Sequence, residues 1–282
     1  MKKSAISILV SGMCIAGLCS CSGGGNPESD GVINEFKVEQ VIKSAERDYL
    51  CEGAWFSDSV GVYSKVNVAV EWPEKMGSYD IKPLQDTLIA LSFIHPERTI
   101  DQSIIKALDS PQGSDTYKMV MVDSIPSSVK AMVLYRGTVV SSIAYSPRFI
   151  VYQIMTSSYE GGAHGLTLSQ FLNYDFVEGK VIDFDNAFKP GSHEALFSAV
   201  KNKLMADNGV ESLAELGSKG FFTDQLFLSH NFYLQGYDVV FHYHPYDIAP
   251  YSTGAVDVRV PFYVISDYLS PEVMDILSKD SF

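Results

Sequence analysis

His242 and His244, in "VVFHYHPYD", stand at i and i+2, the spacing that places two imidazoles on one side of a β-strand. Asp238 shares their parity, so the three together offer the nitrogen and oxygen ligands a zinc ion takes. The neighbours argue against it. Tyr237, Val239, Phe241 and Tyr243 take the other parity and read as the buried one, which leaves both histidines facing solvent or a neighbouring element. No complete zinc-ligand spacing accompanies them, and Cys51 is the one cysteine in the body of the chain, so neither metal nor cofactor is expected. A third histidine, His164, stands in "YEGGAHG", residues 159–165, between two strand-like runs. Glycine adopts positive φ without steric cost, so Gly161, Gly162 and Gly165 suit a tight reversal, with His164 hydrogen-bonded locally or exposed. No serine or cysteine stands in a nucleophile-elbow context, and the glycines lack the lysine and helix of a phosphate loop. A glycosidase-type carboxylate pair cannot be singled out among 34 acidic residues, because the spacing that decides such chemistry is spatial. Tyr246 and Tyr251 of "PYDIAPY", with Tyr243, offer an aromatic platform for a ligand, or else a proline-braced loop packed on a sheet edge. No catalytic residue is assigned. The candidate ligand-binding set is Tyr159, Glu160, Gly161, Gly162, His164, Tyr246 and Tyr251.

The elements that must carry these residues are mostly strands. Val62, Val66, Val68, Val70 and Trp72 share one parity with Ser64, while Lys65, Asn67 and Glu71 take the other, as a half-buried strand requires. Phe36, Val38 and Ile42 repeat the pattern early, and Val256, Val258, Val260 and Phe262 repeat it late. Residues 131–145 and 149–155 are apolar on both parities in places, which predicts central strands covered on both faces. Four helices punctuate the strands. One opens at Pro83 and runs through Leu84, Leu88 and Leu91, and a short one is capped by Thr99 with Gln102 and buries Ile100, Ile104 and Leu108. The longest starts near Ser192, stacks Leu196, Val200 and Leu204, and stops at Asn208-Gly209; the last is opened by Ser270-Pro271 and turns Val273, Ile276 and Leu277 inward. This order predicts an α+β fold with an antiparallel-rich sheet and two adjoining subdomains, 32–174 and 175–282, divided near the turn at Glu178-Gly179.

The start of the chain reads differently. Lys2 and Lys3, an apolar stretch from Ala5 to Leu18, and the ending Leu18-Cys19-Ser20-Cys21 form an export signal over residues 1–20. The apolar part is shorter than the roughly 20 residues of a membrane span, and its Leu-x-Ser-Cys ending resembles the lipobox of bacterial lipoproteins. Cys21 is the expected lipidation site and 21–31 a glycine-rich tether, placing the protein outside the cytoplasm on a bacterial membrane, periplasmic or at the cell surface. Cleavage leaves 262 of the 282 residues, and the loss of Lys2 and Lys3 takes the formal charge from −13 to −15. Cys14 and Cys19 leave with the signal, so no disulfide can form within the body, where Cys51 is expected as a buried small hydrophobe. Clustered Lys and Arg are missing, which argues against nucleic acid, and the negative surface favours cationic partners.

"SSYEGGAHG", then "YDFVEGKVIDFDNAF" and later "YHPYDIAPYSTGAVDVRVP" together resemble an extracytoplasmic module. That module is shared by lysozyme-sensing anti-sigma factors of the RsiV type and by the non-catalytic N-terminal region of peptidoglycan deacetylases of the PdaC type. The resemblance covers most of residues 31–268, with its motifs in those three stretches, and implies a PdaC-like first part and an RsiV-like second part. It implies an exported α+β module that binds a cell-wall glycan or a cationic wall-active protein such as lysozyme. Sigma-factor release and deacetylation do not carry over. Anti-sigma members place a cytoplasmic segment and a membrane helix ahead of the module, and deacetylases add a domain with an Asp-His-His metal site; this sequence shows neither. The expectation is a lipid-anchored binding or sensing module without catalysis; the alternative is a cell-envelope hydrolase or metal-dependent enzyme using His164, His242 and His244.

Overall fold

The computed structural model describes residues 9–13, 36–57, 60–128 and 130–279. Cys21, the tether and most of the expected export signal lie outside the described residues.

Eight strands form one mixed sheet. The first, β1 (Leu9–Met13), runs antiparallel to the start of the long β2 (Val38–Ser57), pairing Leu9–Met13 with Ser44 back to Gln40. β2 turns back into β3 (Val60–Met76), whose alternate residues Val62, Ser64, Val66, Val68, Val70 and Trp72 are all buried, as their parity predicts. The chain then leaves the sheet for α1 (Lys82–Ser92) and α2 (Ile100–Leu108), with Pro83 in the first turn of α1 and the Thr99 hydroxyl accepting from the Gln102 amide at the start of α2. β4 (Lys118–Val122) covers the far end of the β2 edge, and β5 (Ala131–Tyr145) pairs parallel with β3, the crossover that makes the sheet mixed. β6 (Phe149–Tyr159), β7 (Leu166–Asp175) and β8 (Lys180–Ile182) complete it as antiparallel neighbours.

Five further helices and strands build the second layer: α3 (Phe184–Ala187), α4 (His193–Asp207), α5 (Leu213–Ser218), and then β9 (Phe232–Gln235) and β10 (Asp238–Tyr243). β11 (Val256–Pro261) pairs with β10 to close a three-stranded antiparallel sheet of order β11-β10-β9, and α6 (Pro271–Lys279) ends the described chain. The architecture is α+β.

The two cores meet at β6, which is buried on both faces. Ile150, Tyr152 and Ile154 join Leu84, Leu88, Ile104 and the β3 valines on one side. Phe149 and Val151 join Leu196, Val200, Leu204, Phe241 and Ile276 on the other. Its continuous apolar run is the signature of such a central strand. Cys51 is fully buried beside Ala54, Val62 and Leu134, and burial pushes its thiol pKa up.

Two asparagines tie the small sheet to β7. Asn173, buried, donates to the Phe232 carbonyl and accepts from the Leu234 amide, both at 3.0 Å. Asn231 donates to the Ser169 carbonyl at 2.7 Å and accepts from the Phe171 amide at 3.1 Å. Each side-chain amide supplies one donor and one acceptor, so each satisfies two main-chain groups that neither ladder reaches. Below them Arg148 binds Asp175 Oδ2 through Nε at 3.0 Å and Nη2 at 2.9 Å and reaches Asp275 on α6, while Asp175 Oδ1 accepts from the Val177 and Glu178 amides. The boundary expected after residue 174 thus falls inside β7, whose pairing continues through Asp175 into β8.

Candidate functional site: an aromatic cluster between hairpin and loop

The β6–β7 hairpin is built by its glycines, though not by all three in the same way. Gly161 has φ +90, and a Cβ there would lie 2.2 Å from Met132 Cε. A Cβ on Gly165 would meet the Tyr135 hydroxyl at 2.5 Å and the Ser158 carbonyl at 2.9 Å. Gly162 lies outside the positive-φ region and has open space around it, so the reversal draws on the conformational freedom of Gly161 and not of Gly162. The Tyr159 hydroxyl closes the loop by donating to the Gly162 carbonyl at 3.0 Å, and its ring stacks on Tyr135.

The partner loop follows β10. The His244 amide donates to Asp247 Oδ2 at 2.7 Å, the Asp247 amide returns to the His244 carbonyl, and buried Ile248 and Ala249 pin the turn. Tyr246 donates its amide to the Ala249 carbonyl and sits at φ +76, the one non-glycine positive φ among the described residues. A large side chain in that region costs on the order of 1–3 kcal/mol and persists only where its surroundings over-determine it.

Hairpin and loop converge on His164. Its ring stacks on Tyr251 with centroids 3.7 Å apart and planes 15° off parallel. Nδ1 lies 3.0 Å from the Gly165 carbonyl, which also accepts the Tyr251 hydroxyl at 2.8 Å. A carbonyl only accepts, so Nδ1 carries the proton, and in the neutral ring Nε2 accepts from the Tyr246 hydroxyl 3.1 Å away. His164, Tyr246 and Tyr251 therefore form one patch with His164 exposed and Tyr246 53% exposed, while Tyr159 packs on Tyr135 within the hairpin. Glu160 is exposed on the same hairpin and makes no bond to the cluster. Tyr243, weighed with these tyrosines, is buried instead, donating to the Phe227 carbonyl. The patch offers aromatic faces and an imidazole held by hydrogen bonds, with no serine or cysteine among its members.

Of the two placements open to it, His242 takes the one against a neighbouring element. It is buried, because β10 is the middle strand of its sheet with Phe171 of β7 packed edge-on against the imidazole at 5.0 Å; Tyr237, assigned to the buried parity, is 58% exposed. His242 Nδ1 pairs with Asp257 Oδ1 at 2.7 Å, and the Tyr233 hydroxyl donates to Asp257 Oδ2 at 3.0 Å. Burial would raise the Asp257 carboxyl, but these two hydrogen bonds, helped by the charge of nearby Arg259, outweigh it and hold its pKa below the ordinary value. His244 is half-buried, accepts from the Ser169 amide at 3.5 Å, and has its pKa lowered by burial and by His242. Among the described residues no three His, Cys, Asp or Glu side chains are grouped to hold a metal, and His164 is far in role from the other two: it belongs to the tyrosine cluster.

The loop and the small sheet lie in a stretch that matches a known family. Residues 185–263 match the DUF3298 family, a protein family of unknown function. A member of the DUF3298 family from Bacteroides fragilis superposes with a TM-score of 0.64 at 24% identity, over 86% of this chain and 99% of its own. A DUF3298 family protein from Pseudomonas aeruginosa does so with a TM-score of 0.54 at 15% identity, over 82% and 95%. No curated protein matches the chain. The likeness is one of fold and extends beyond the DUF3298 stretch into the large sheet. Tyr246 and Tyr251 lie within that stretch and His164 before it, so the aromatic cluster joins the two.

Proposed function

We propose that the protein is an exported, lipid-anchored module that binds a partner without catalysis, and that the His164–Tyr246–Tyr251 cluster is its contact surface. The observation that carries this is Tyr246: an exposed aromatic held at positive φ by its neighbours, with its hydroxyl on His164, is strain retained at the surface where packing gains little from it. A rigid aromatic with few rotatable bonds loses little entropy on binding, which is why tyrosine recurs at contact surfaces. The partner we infer is a cationic wall-active protein of the lysozyme type, in keeping with the resemblance of the hairpin and loop motifs to lysozyme-sensing modules and with a formal charge of −13. Charge alone gives attraction that salt screens over about 8 Å at physiological ionic strength, so specific contact must come from the cluster.

Calorimetric titration with a lysozyme-type protein at about 150 mM salt tests it. His164→Ala should weaken binding while leaving thermal stability nearly unchanged; no heat, or binding that vanishes with salt and ignores the variant, would leave only non-specific attraction. The anchor is tested separately: Cys21→Ser should release the protein from the membrane or leave it unprocessed, and unchanged retention with normal maturation would refute lipidation there.

A further inference from the structure

A cleft of about 340 Å³ opens on the other side of the hairpin stem, between the ends of α1 and α2 and the strands β3, β5, β6 and β7. Its walls combine two kinds of group that rarely meet by accident. Lys106 and Arg136 bring two cations to one cleft of an acidic protein, and neither has a carboxylate partner among the described residues. The Arg136 guanidinium is oriented by neutral acceptors, the Ser110 carbonyl at 3.2 Å and Gln112 Oε1 at 3.0 Å, which uses two of its five N–H groups. Around them apolar groups, Phe93 and the partly exposed Leu166 and Leu168, share the lining with uncharged polar ones such as Asn67, Thr138 and Thr156. Ser92 lines the same cleft, 5% exposed, with a hydroxyl that has no hydrogen-bond partner. A buried hydroxyl left unpaired is a group that a ligand or a water must satisfy. One anionic side chain, Glu160, stands at the margin and is exposed.

We infer that this cleft binds a small amphipathic carboxylate, its head group between Lys106 and Arg136 and its apolar body along Phe93 and Leu168. The volume lies in the range of sites for small molecules, with a mostly apolar lining and a few convergent polar groups. A guanidinium already fixed by two neutral bonds meets a carboxylate with little further loss of side-chain freedom. None of His164, Tyr246 and Tyr251 lines the cleft, which meets their hairpin only at its stem and Glu160, and the inference does not depend on the partner assigned to that surface.

The test titrates the protein with decanoate and with 1-decanol below their aggregation limits, following affinity by calorimetry and amide shifts of Ser92 and Thr138 by NMR. Decanoate should bind at least tenfold more tightly than decanol and shift both amides. Lys106→Gln, at an exposed position, should weaken decanoate at least tenfold, and Thr156→Trp, exposed and facing the cleft, should abolish binding of both probes. Equal affinity for the two probes, an unaltered titration in Thr156→Trp, or amide shifts elsewhere would overturn the inference and leave Ser92 to a water.

Discussion

Asn173 is the residue on which the union of the two sheets can be weighed most directly. Its amide satisfies the Phe232 carbonyl and the Leu234 amide, and all three residues are at most 3% exposed. Asn173→Ala strands both main-chain groups. A buried group left unpaired costs about 1–3 kcal/mol, so the loss should be roughly 2–6 kcal/mol, less whatever water enters the space. Against a typical total of about 5–15 kcal/mol that is a large fraction. In thermal unfolding it corresponds to a fall in Tm on the order of 10 °C for a chain of this size. Gln170→Ala, an exposed change on the same strand, is the control and should stay within about 0.5 kcal/mol. Urea unfolding of the three proteins, followed by tryptophan fluorescence and by circular dichroism, gives both numbers. If Asn173→Ala costs no more than Gln170→Ala, the amide bridges do not hold the sheets together, and the convergence of hairpin and loop needs another cause.

Four further outcomes follow from the same geometry. Asp175→Ala leaves the partly buried Arg148 guanidinium without its principal carboxylate and frees the Val177 and Glu178 amides, so it should cost about 3–5 kcal/mol by the same denaturation, with Asp275→Ala milder because that side is more open. Gly161→Ala should lose about 1–2 kcal/mol to its positive φ, whereas Gly162→Ala should stay within about 0.5 kcal/mol, a contrast readable from two melting curves. The pKa of His244 is lowered in the fold, so the unfolded chain takes up a proton first and stability should fall as pH drops below about 6.5, the unfolded value; His244→Gln should flatten that slope. Asp257 acts lower on the scale. Its depressed pKa contributes stability present above about 3.9 and lost as pH falls through the folded value.

Where one residue type could satisfy only one environment, the sequence was readable. The alternating valines of β3, the double-sided run of β6, the Thr99 cap and the Leu196-Val200-Leu204 stack each named their element because period and partner were local. His164, Tyr246 and Tyr251, each a candidate for its residue type, lie together in the fold, although nothing in the spacing joined residue 164 to residue 246. What failed was long-range. Tyr237 was assigned to the buried parity and is exposed, and the alternation left His242 to solvent or a neighbouring element, a choice that Phe171 of β7 decides. Gly162 was credited with the φ that Gly161 adopts, a distinction three neighbouring glycines do not reveal. The extent of β2 beyond Ile42 passed unseen because polar residues break its alternation, and the edge strand β4 because its short run Met119–Val122 is apolar throughout and does not alternate. Asn173 and Asn231 look like any polar residues in a strand and a loop until the second sheet is in place, and the Lys106–Arg136 cleft draws its cations from a helix and a strand far apart in the chain.

The central claim is that the tyrosine cluster is shaped for binding at a cost to stability, and Tyr246→Gly measures both sides at once. Glycine adopts φ +76 freely, so the variant should melt no lower than the parent even though it loses an exposed ring. Titrated with a lysozyme-type protein at about 150 mM salt, it should bind at least tenfold more weakly, about 1.4 kcal/mol. Binding equal to the parent's, whatever the melting temperature, would contradict the account and reduce hairpin and loop to the turns their glycines and prolines allow.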